Sequence, residues 1–352
     1  MKIETVAFAG DVPGVTYELR VLRFSGTDPQ APKAYLQSAL HGSELPGQAA
    51  IHYLVPMLER AEIEGRLAGD VTVVPQANPI GSSQWLARQH LGRFEMFSST
   101  NFNRSFPLLD NFDTSDLAEP DAPLPVAERL KVQLLRLALP HEIILDLHCD
   151  DESDSYIYVH KAFWPEMSDL AVALGSTSAL LWDDTASAAF EEACANPVLA
   201  MADDERDLSR RAVTTIEFRG LNDVDIATGQ SDAQGLYRFL VGRGVVTDES
   251  ERAATAFSGN ATPLEQVEMI RAPEGGMILF HVSIGDTVQE GDPLVTIVTR
   301  PGDRTADIVL KAPQAGYILT RRSHRYSRRG DDLLKLLGSH RSETAKPGTL
   351  EA

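Results

Sequence analysis

Residues 35–54 read YLQSALHGSELPGQAAIHYL. The mostly apolar run Ala34–Leu40 has the character of a strand about to be buried, and it stops at His41, Gly42, Ser43 and Glu44. Gly42 lets the backbone turn sharply. Pro46 and Gly47 then open a helix whose apolar residues Ile51, Leu54, Val55 and Leu58 recur at helical spacing. Pro56 lies inside that helix and is expected to kink it or end it early. Strand, sharp turn, helix is the unit of an open α/β sheet, and such sheets bind ligands just beyond the carboxyl ends of their strands. His41 and Glu44 occupy such an end.

The same alternation continues on both sides. YELRVLRFSG (17–26) reads as β-hairpin material. DVTVVPQANP (70–79), HEIILDLH (141–148), SYIYVH (155–160) and AVTTIEFRG (212–220) read as strands. PVAERLKVQLLRLA (125–138) and DAQGLYRFLVGRGVV (232–246) read as helices, and SDLAVALGSTSALLW (168–182) as helix then strand. Repeated βα units predict an α/β fold with a mostly parallel sheet flanked by helices. After about residue 260 the pattern changes to short β segments punctuated by Gly, Pro and Asp. RAPEGGMILF (271–280) and KAPQAGYILT (311–320) echo one another, which predicts a small β module built from two related halves. The expected division is residues 1–262, residues 263–338, and a polar tail over 339–352 without fixed structure.

The chain has 352 residues, enough for two cores. Its formal net charge of −19 argues against nucleic acid or an anionic membrane surface as partner, since both need a basic footprint. Two cysteines, Cys149 and Cys194, make a disulfide framework improbable and fit a reducing compartment. The N-terminus lacks the apolar run of a signal peptide, and no stretch approaches the roughly 18 apolar residues needed to span a bilayer. A cytoplasmic protein is expected.

An imidazole and a carboxylate at one strand end suggest a metal site. Two nitrogens and one carboxylate around zinc, with a position left open for water, form a catalytic geometry. The best candidate for the second nitrogen is His148, which also ends an apolar strand. Asp146, two residues earlier on the same strand face, is suited to accept the ring N–H of a bound imidazole. His141 lies about 23 Å up an extended strand and belongs to the opposite edge of the sheet. Cys149 should face away from His148.

Taken in order, HGSE (41–44), ANPIG (77–81), NFNRSF (101–106), DLH (146–148) and TTIEFRG (214–220) resemble the succinylglutamate desuccinylase/aspartoacylase family, zinc hydrolases related to the metallocarboxypeptidases. The resemblance spans nearly the whole chain and implies a zinc-carboxypeptidase-like mixed sheet with an all-β, barrel-sandwich C-terminal domain. It implies one zinc per chain on His41, Glu44 and His148, with Glu217 as general base. A carboxylate beside such water can take a proton as a carbonyl is attacked and return it to the departing amine. Arg219, on the same strand face, is the partner Glu217 would have in a purely structural role. Asn103 and Arg104 resemble the pair that holds a substrate carboxylate, for which a guanidinium fork is suited. Arg93, with Arg88 as competitor, matches the arginine that polarises the scissile carbonyl. Asn78 is read as shaping a turn, and Tyr156 and Tyr158 as sheet residues.

The β module also looks like a biotinyl or lipoyl domain. The hairpin between its halves, VTRPGDRTADI (298–308), contains no Lys, so no swinging arm is expected. A lid, or a contact between copies in a homo-oligomer, is the remaining role. The basic run RRSHRYSRR (321–329) could then draw acidic substrates to the mouth of the site. The expected activity is that of a hydrolase acting on linear amide bonds, removing an acetyl or succinyl group from a small acyl amino acid. The alternatives are a carboxypeptidase for short peptides and a metal-binding protein without catalysis.

Overall fold

The computed structural model describes residues 1–119, 122–185, 187–251 and 256–345. Its centre is a sheet of nine strands: β1 (Lys2–Ala9), β2 (Thr16–Phe24), β3 (Ala34–Ser38), β4 (Val71–Val74), β5 (Ile143–Asp150), β6 (Tyr156–His160), β7 (Ser178–Trp182), β8 (Ala212–Gly220) and β9 (Asn260–Pro263). They lie in the order β1-β2-β4-β3-β5-β8-β6-β7-β9. Strands β4, β3, β5 and β8 run parallel, as do β6, β7 and β9. The pairs β1–β2, β2–β4 and β8–β6 are antiparallel, so the sheet is mixed. Every residue of β3 and β4 is buried, as expected of strands covered on both faces.

The helices that flank the sheet are α1 (Pro46–Ile63), α2 (Val126–Ala138), α3 (Ser168–Leu174), α4 (Phe190–Leu199) and α5 (Ile226–Gly242). Helix α1 runs through Pro56 to Ile63 rather than ending early. Pro56 is exposed, so the carbonyl it leaves without a donor lies on the water side of the helix.

The C-terminal β region contains β10 (Val267–Arg271), β11 (Gly276–Phe280), β12 (Thr287–Val288), β13 (Pro293–Val298), β14 (Ile308–Lys311), β15 (Gly316–Arg321), β16 (Tyr326–Ser327) and β17 (Asp332–Gly338). One sheet has the order β10-β17-β15-β12 and the other β14-β13-β11-β16. The two echoed sequences occupy equivalent places, each spanning a turn and the strand after it. Ile278, Leu294, Ile297, Ile318 and Leu334 fill a core of their own between the sheets.

Where this region meets the main sheet, Leu319 and Leu337 pack with Tyr156 and Leu180. Backbone pairing crosses the same seam: β15 binds a two-residue strand, Glu152–Ser153, in the loop after β5. Residues 339–345 return to β10, where Ser342 Oγ donates to Glu268 Oε2 at 2.5 Å. The rest of the expected tail, 346–352, lies outside the described residues.

Candidate metal centre and active site

The carboxyl ends of β3, β5 and β8 lie side by side. Chain geometry forces the turn after β3. Ala39 takes a left-handed φ of 56°. Gly42 packs so tightly on the neighbouring loop that a Cβ there would sit 2.3 Å from the Ser82 nitrogen. The Gly42 N–H donates to the Gly92 carbonyl at 2.9 Å, which places Arg93 beside the turn. Asn78 ties the corner together: its Nδ2 donates to the Leu40 carbonyl at 2.8 Å, and its Oδ1 accepts from the Gly81 N–H at 2.8 Å.

On this frame His41, Glu44 and His148 converge. One ligand atom from each lies within 4.8 Å of the others, and all three residues are buried. His41 Nδ1 is 2.8 Å from Glu44 Oε1, and His148 Nδ1 is 2.8 Å from Glu44 Oε2. The outer ring nitrogens are held by fixed acceptors. Asp146 Oδ2 stands 2.9 Å from His148 Nε2, and a carboxylate oxygen can only accept. Asn101 Oδ1 stands 2.8 Å from His41 Nε2 and also accepts the Asn103 backbone N–H at 2.8 Å, which fixes that atom as oxygen. Both imidazoles therefore keep a proton on Nε2 and turn Nδ1 toward Glu44. A divalent ion among them would displace any proton held between Nδ1 and the Glu44 carboxylate. This donor set, two nitrogens and one oxygen with ordered outer partners, fits a divalent metal such as zinc.

The ionisation of the three residues follows from that crowding. Burial opposes a charge on His148, but the Asp146 and Glu44 carboxylates outweigh it and hold the imidazole well above its usual range. Burial lowers His41, with Glu44 pulling partly the other way. Glu44 is held well below the carboxylate range because the two imidazoles overcome its burial. Asp146 is anchored in turn: Gln37 Nε2 donates to its Oδ1 at 3.0 Å, and the Tyr35 hydroxyl donates to Gln37 Oε1 at 2.8 Å.

Glu217 is the register partner of His148 across β8 and β5. Its Oε2 is buried and makes no hydrogen bond among the described residues. Burial first, then Glu44 and Asp150, raises its carboxyl to about 8, against the pull of His148. Arg219, expected beside it on one strand face, instead binds Asp232 of α5, with Nη1 donating to Oδ1 at 3.1 Å. A register shift after Glu217 and a φ of 57° at Arg219 turn that side chain away from the site.

These residues line a cavity of about 580 Å³. Arg93 reaches it, with Nη1 3.2 Å from both Glu44 Oε1 and His41 Nδ1. Arg88 is exposed and away from the lining. Asn103 and Arg104 also line the cavity. The Asn103 Oδ1 accepts the Phe190 N–H at 2.7 Å, pinning the start of α4, and Arg104 Nη1 donates to the Asn103 carbonyl at 2.6 Å. His141 lies at the far edge, held by Ala138 and Thr72. Cys149 is buried beside the site, and its backbone N–H, rather than its sulfur, approaches Glu44 Oε2 at 3.3 Å.

Sequence reading missed two partners. Asn101, which sets the His41 tautomer, stands two residues before Asn103 and was legible as part of the same Asn-rich turn. Lys335, from β17 of the C-terminal region, carried no local signal. Its ammonium meets Asp150 Oδ2 and lies 3.1 Å from the Tyr156 hydroxyl, which itself donates to Asp150 at 2.7 Å. The basic run at 321–329 is largely neutralised in place. Arg321 and Arg325 pair with Glu152, Arg322 and Arg328 with Asp331, and Arg329 with Glu274.

Residues 30–241 match the family model described as the succinylglutamate desuccinylase/aspartoacylase catalytic domain. No curated protein matches the chain. Among solved structures, a succinylglutamate desuccinylase/aspartoacylase family protein from Shewanella amazonensis shares 25% identity at a TM-score of 0.83, over 96% of this chain and 98% of that one. A succinylglutamate desuccinylase/aspartoacylase from Rhodobacter sphaeroides aligns at 18% identity and a TM-score of 0.72, over 96% of each chain. The product-bound ectoine utilization protein EutE (DoeB) from Ruegeria pomeroyi aligns at 18% identity and a TM-score of 0.70, over 95% of this chain and 93% of that one. The last two likenesses speak for the fold alone.

Proposed function

The chain belongs to the succinylglutamate desuccinylase/aspartoacylase family, whose members are hydrolases acting on amide bonds, and from that premise we propose that it is a zinc-dependent deacylase of small N-acyl amino acids. The observation that carries this reading is the convergence of His41, Glu44 and His148 at the floor of a cavity that also holds the unbonded Oε2 of Glu217. Bound zinc would supply Lewis-acid polarisation and a water of lowered pKa.

The protein's own residues would do the rest. Glu217 accepts the proton of the attacking water on its free carboxylate oxygen and passes it to the amine nitrogen as the C–N bond breaks. A cation seated on His41, Glu44 and His148 favours the ionised form of Glu217, which a base requires. Arg93 donates hydrogen bonds to the scissile carbonyl as negative charge develops on its oxygen. Arg104 binds the substrate carboxylate, and Asn103 fixes the loop that presents it. The C-terminal region walls the cavity with Arg321, Arg322 and Lys335, which favours small substrates over peptides.

The test is amine release from a panel of N-acetyl and N-succinyl amino acids, set beside short peptides, using the full chain loaded with zinc. Release from acyl amino acids, abolished by a chelator and restored by zinc, supports the reading. Cleavage confined to peptides, or turnover indifferent to the chelator, refutes it.

A further inference from the structure

Both nitrogens of the His41 ring are met by one loop, residues 84–103. Asn101 Oδ1 stands 2.8 Å from Nε2, and Arg93 Nη1 stands 3.2 Å from Nδ1. The same Nη1 is 3.2 Å from Glu44 Oε1, and it carries two N–H groups, enough for one to each acceptor. The backbone here is pinned. The Gly92 carbonyl accepts the Gly42 N–H at 2.9 Å, the Arg93 carbonyl accepts the Phe102 N–H at 3.1 Å, and Phe94 bridges Asn101. Any movement of Arg93 is therefore movement of its side chain. The side chains of His41 and Glu44 are 4% and 5% exposed, that of Arg93 41%. The two acceptors are fixed from within, and the arginine reaches them from the side of water.

The chemistry of Nδ1 makes this contact exclusive. An imidazole that keeps its proton on Nε2 has one lone pair at Nδ1. That pair can accept an N–H or coordinate a metal, and not both. Glu44 faces no such choice, because a carboxylate has about four lone-pair sites and can serve a metal while accepting other donors. His41 Nδ1 is thus the atom at which guanidinium and metal compete. The ring is buried and Asn101 holds its other nitrogen, so the imidazole stays and the exposed guanidinium yields. Like charge pushes the same way. Arg93 lines the cavity together with Arg104 and Glu217, so a guanidinium moved off Nδ1 on a pinned backbone stays over the site.

We propose that a divalent ion displaces the Arg93 guanidinium from His41 Nδ1, and that Arg93 turns to a substrate carbonyl only after the metal is seated. The first half stands on the His41, Glu44 and His148 cluster and on the distances to Arg93. The second half rests on the deacylase reading and extends it with an order of events, metal before substrate. Arg93 is then a competitor of the metal as well as the group that meets the carbonyl. By reciprocity, removing the guanidinium tightens the metal.

The experiment has two arms, and neither needs turnover. In the first, the full chain and its Arg93→Met variant compete for zinc with a chromophoric chelator. The variant should bind zinc about 10-fold more tightly, as expected when a competing hydrogen bond between charged groups is removed. In the second, the unsubstituted chain is labelled with phenylglyoxal, with and without zinc, and the modified peptides are quantified by mass spectrometry. Zinc should raise the rate at Arg93 severalfold relative to Arg104 on the same cavity wall. This arm needs no substitution, so misfolding of a variant does not enter it. If Arg93→Met binds zinc no more tightly than the parent, the competition is overturned. If it binds more tightly but zinc leaves the labelling of Arg93 unchanged, the arginine acts by charge at a fixed position and the displacement is overturned. In both cases the deacylase reading stands. If zinc displaces Arg93 but no acyl amino acid is cleaved, the deacylase reading falls and the displacement survives. If the parent binds no zinc, both fall.

Discussion

The two sides of the cavity are held in place by different forces. His41, Glu44, His148 and Glu217 come from the ends of neighbouring parallel strands, so backbone register places them. The opposing groups, Lys335, Arg321 and Arg322, come from a β region with a core of its own and are placed by how that region docks. The strand-end side should carry chemistry that can be removed without disturbing the fold. The docked side should carry stability and fit.

The sharpest separation is His148→Ala. It should abolish turnover and metal retention while circular dichroism and the melting transition remain native-like, because β5 is held by its backbone pairing on both sides. Glu217→Gln should come next, keeping the metal but lowering kcat by about 10²- to 10⁴-fold, the usual range for loss of general acid–base catalysis. Unchanged kcat in that variant would leave the side chain a merely structural role.

The docked side should respond in stability. Lys335→Met leaves the partly buried Asp150 without its counter-charge and should cost about 1.5–3 kcal/mol in denaturant unfolding. Combining it with Asp150→Asn should recover part of that loss, because the two residues form one pair. Additive losses in the double variant would show that the pair does not couple the two regions.

How much of this was legible in the sequence follows the same division. The three residues of the candidate metal cluster could be read because a strand end concentrates polar side chains in a few adjacent residues: HGSE and DLH each interrupt an apolar run. Asp146 was legible because a two-residue spacing puts it on the His148 face of the strand. The mixed α/β sheet with its β-rich C-terminal region followed from the change in period near residue 260. Lys335 was not legible, because its partner Asp150 lies 185 positions away and nothing in DLLKLLG marks it. Arg219 was misplaced because a one-residue shift in register reverses which way a strand side chain points. Helix α1 outlasted Pro56 because the proline fell on the exposed side.

Three further substitutions sharpen the comparison. Asp146→Asn should weaken metal affinity by about 10- to 100-fold in competition with a chelator, since it removes the charged acceptor that orients His148. Arg88→Ala should leave kcat/KM within about 2-fold of the parent, in the manner of a surface change. Arg93→Ala should lower it by about 10²-fold, as loss of one oxyanion donor does. Equal effects at both arginines would remove the reason for preferring Arg93.

The central claim is that His41, Glu44 and His148 hold one divalent ion. Zinc K-edge X-ray absorption on the zinc-loaded full chain tests it most directly. The account predicts one zinc per chain with only nitrogen and oxygen donors at about 2.0–2.2 Å, a signal lost in His148→Ala. A sulfur donor at about 2.3 Å, which would implicate Cys149, or a folded chain that retains no zinc, would contradict it.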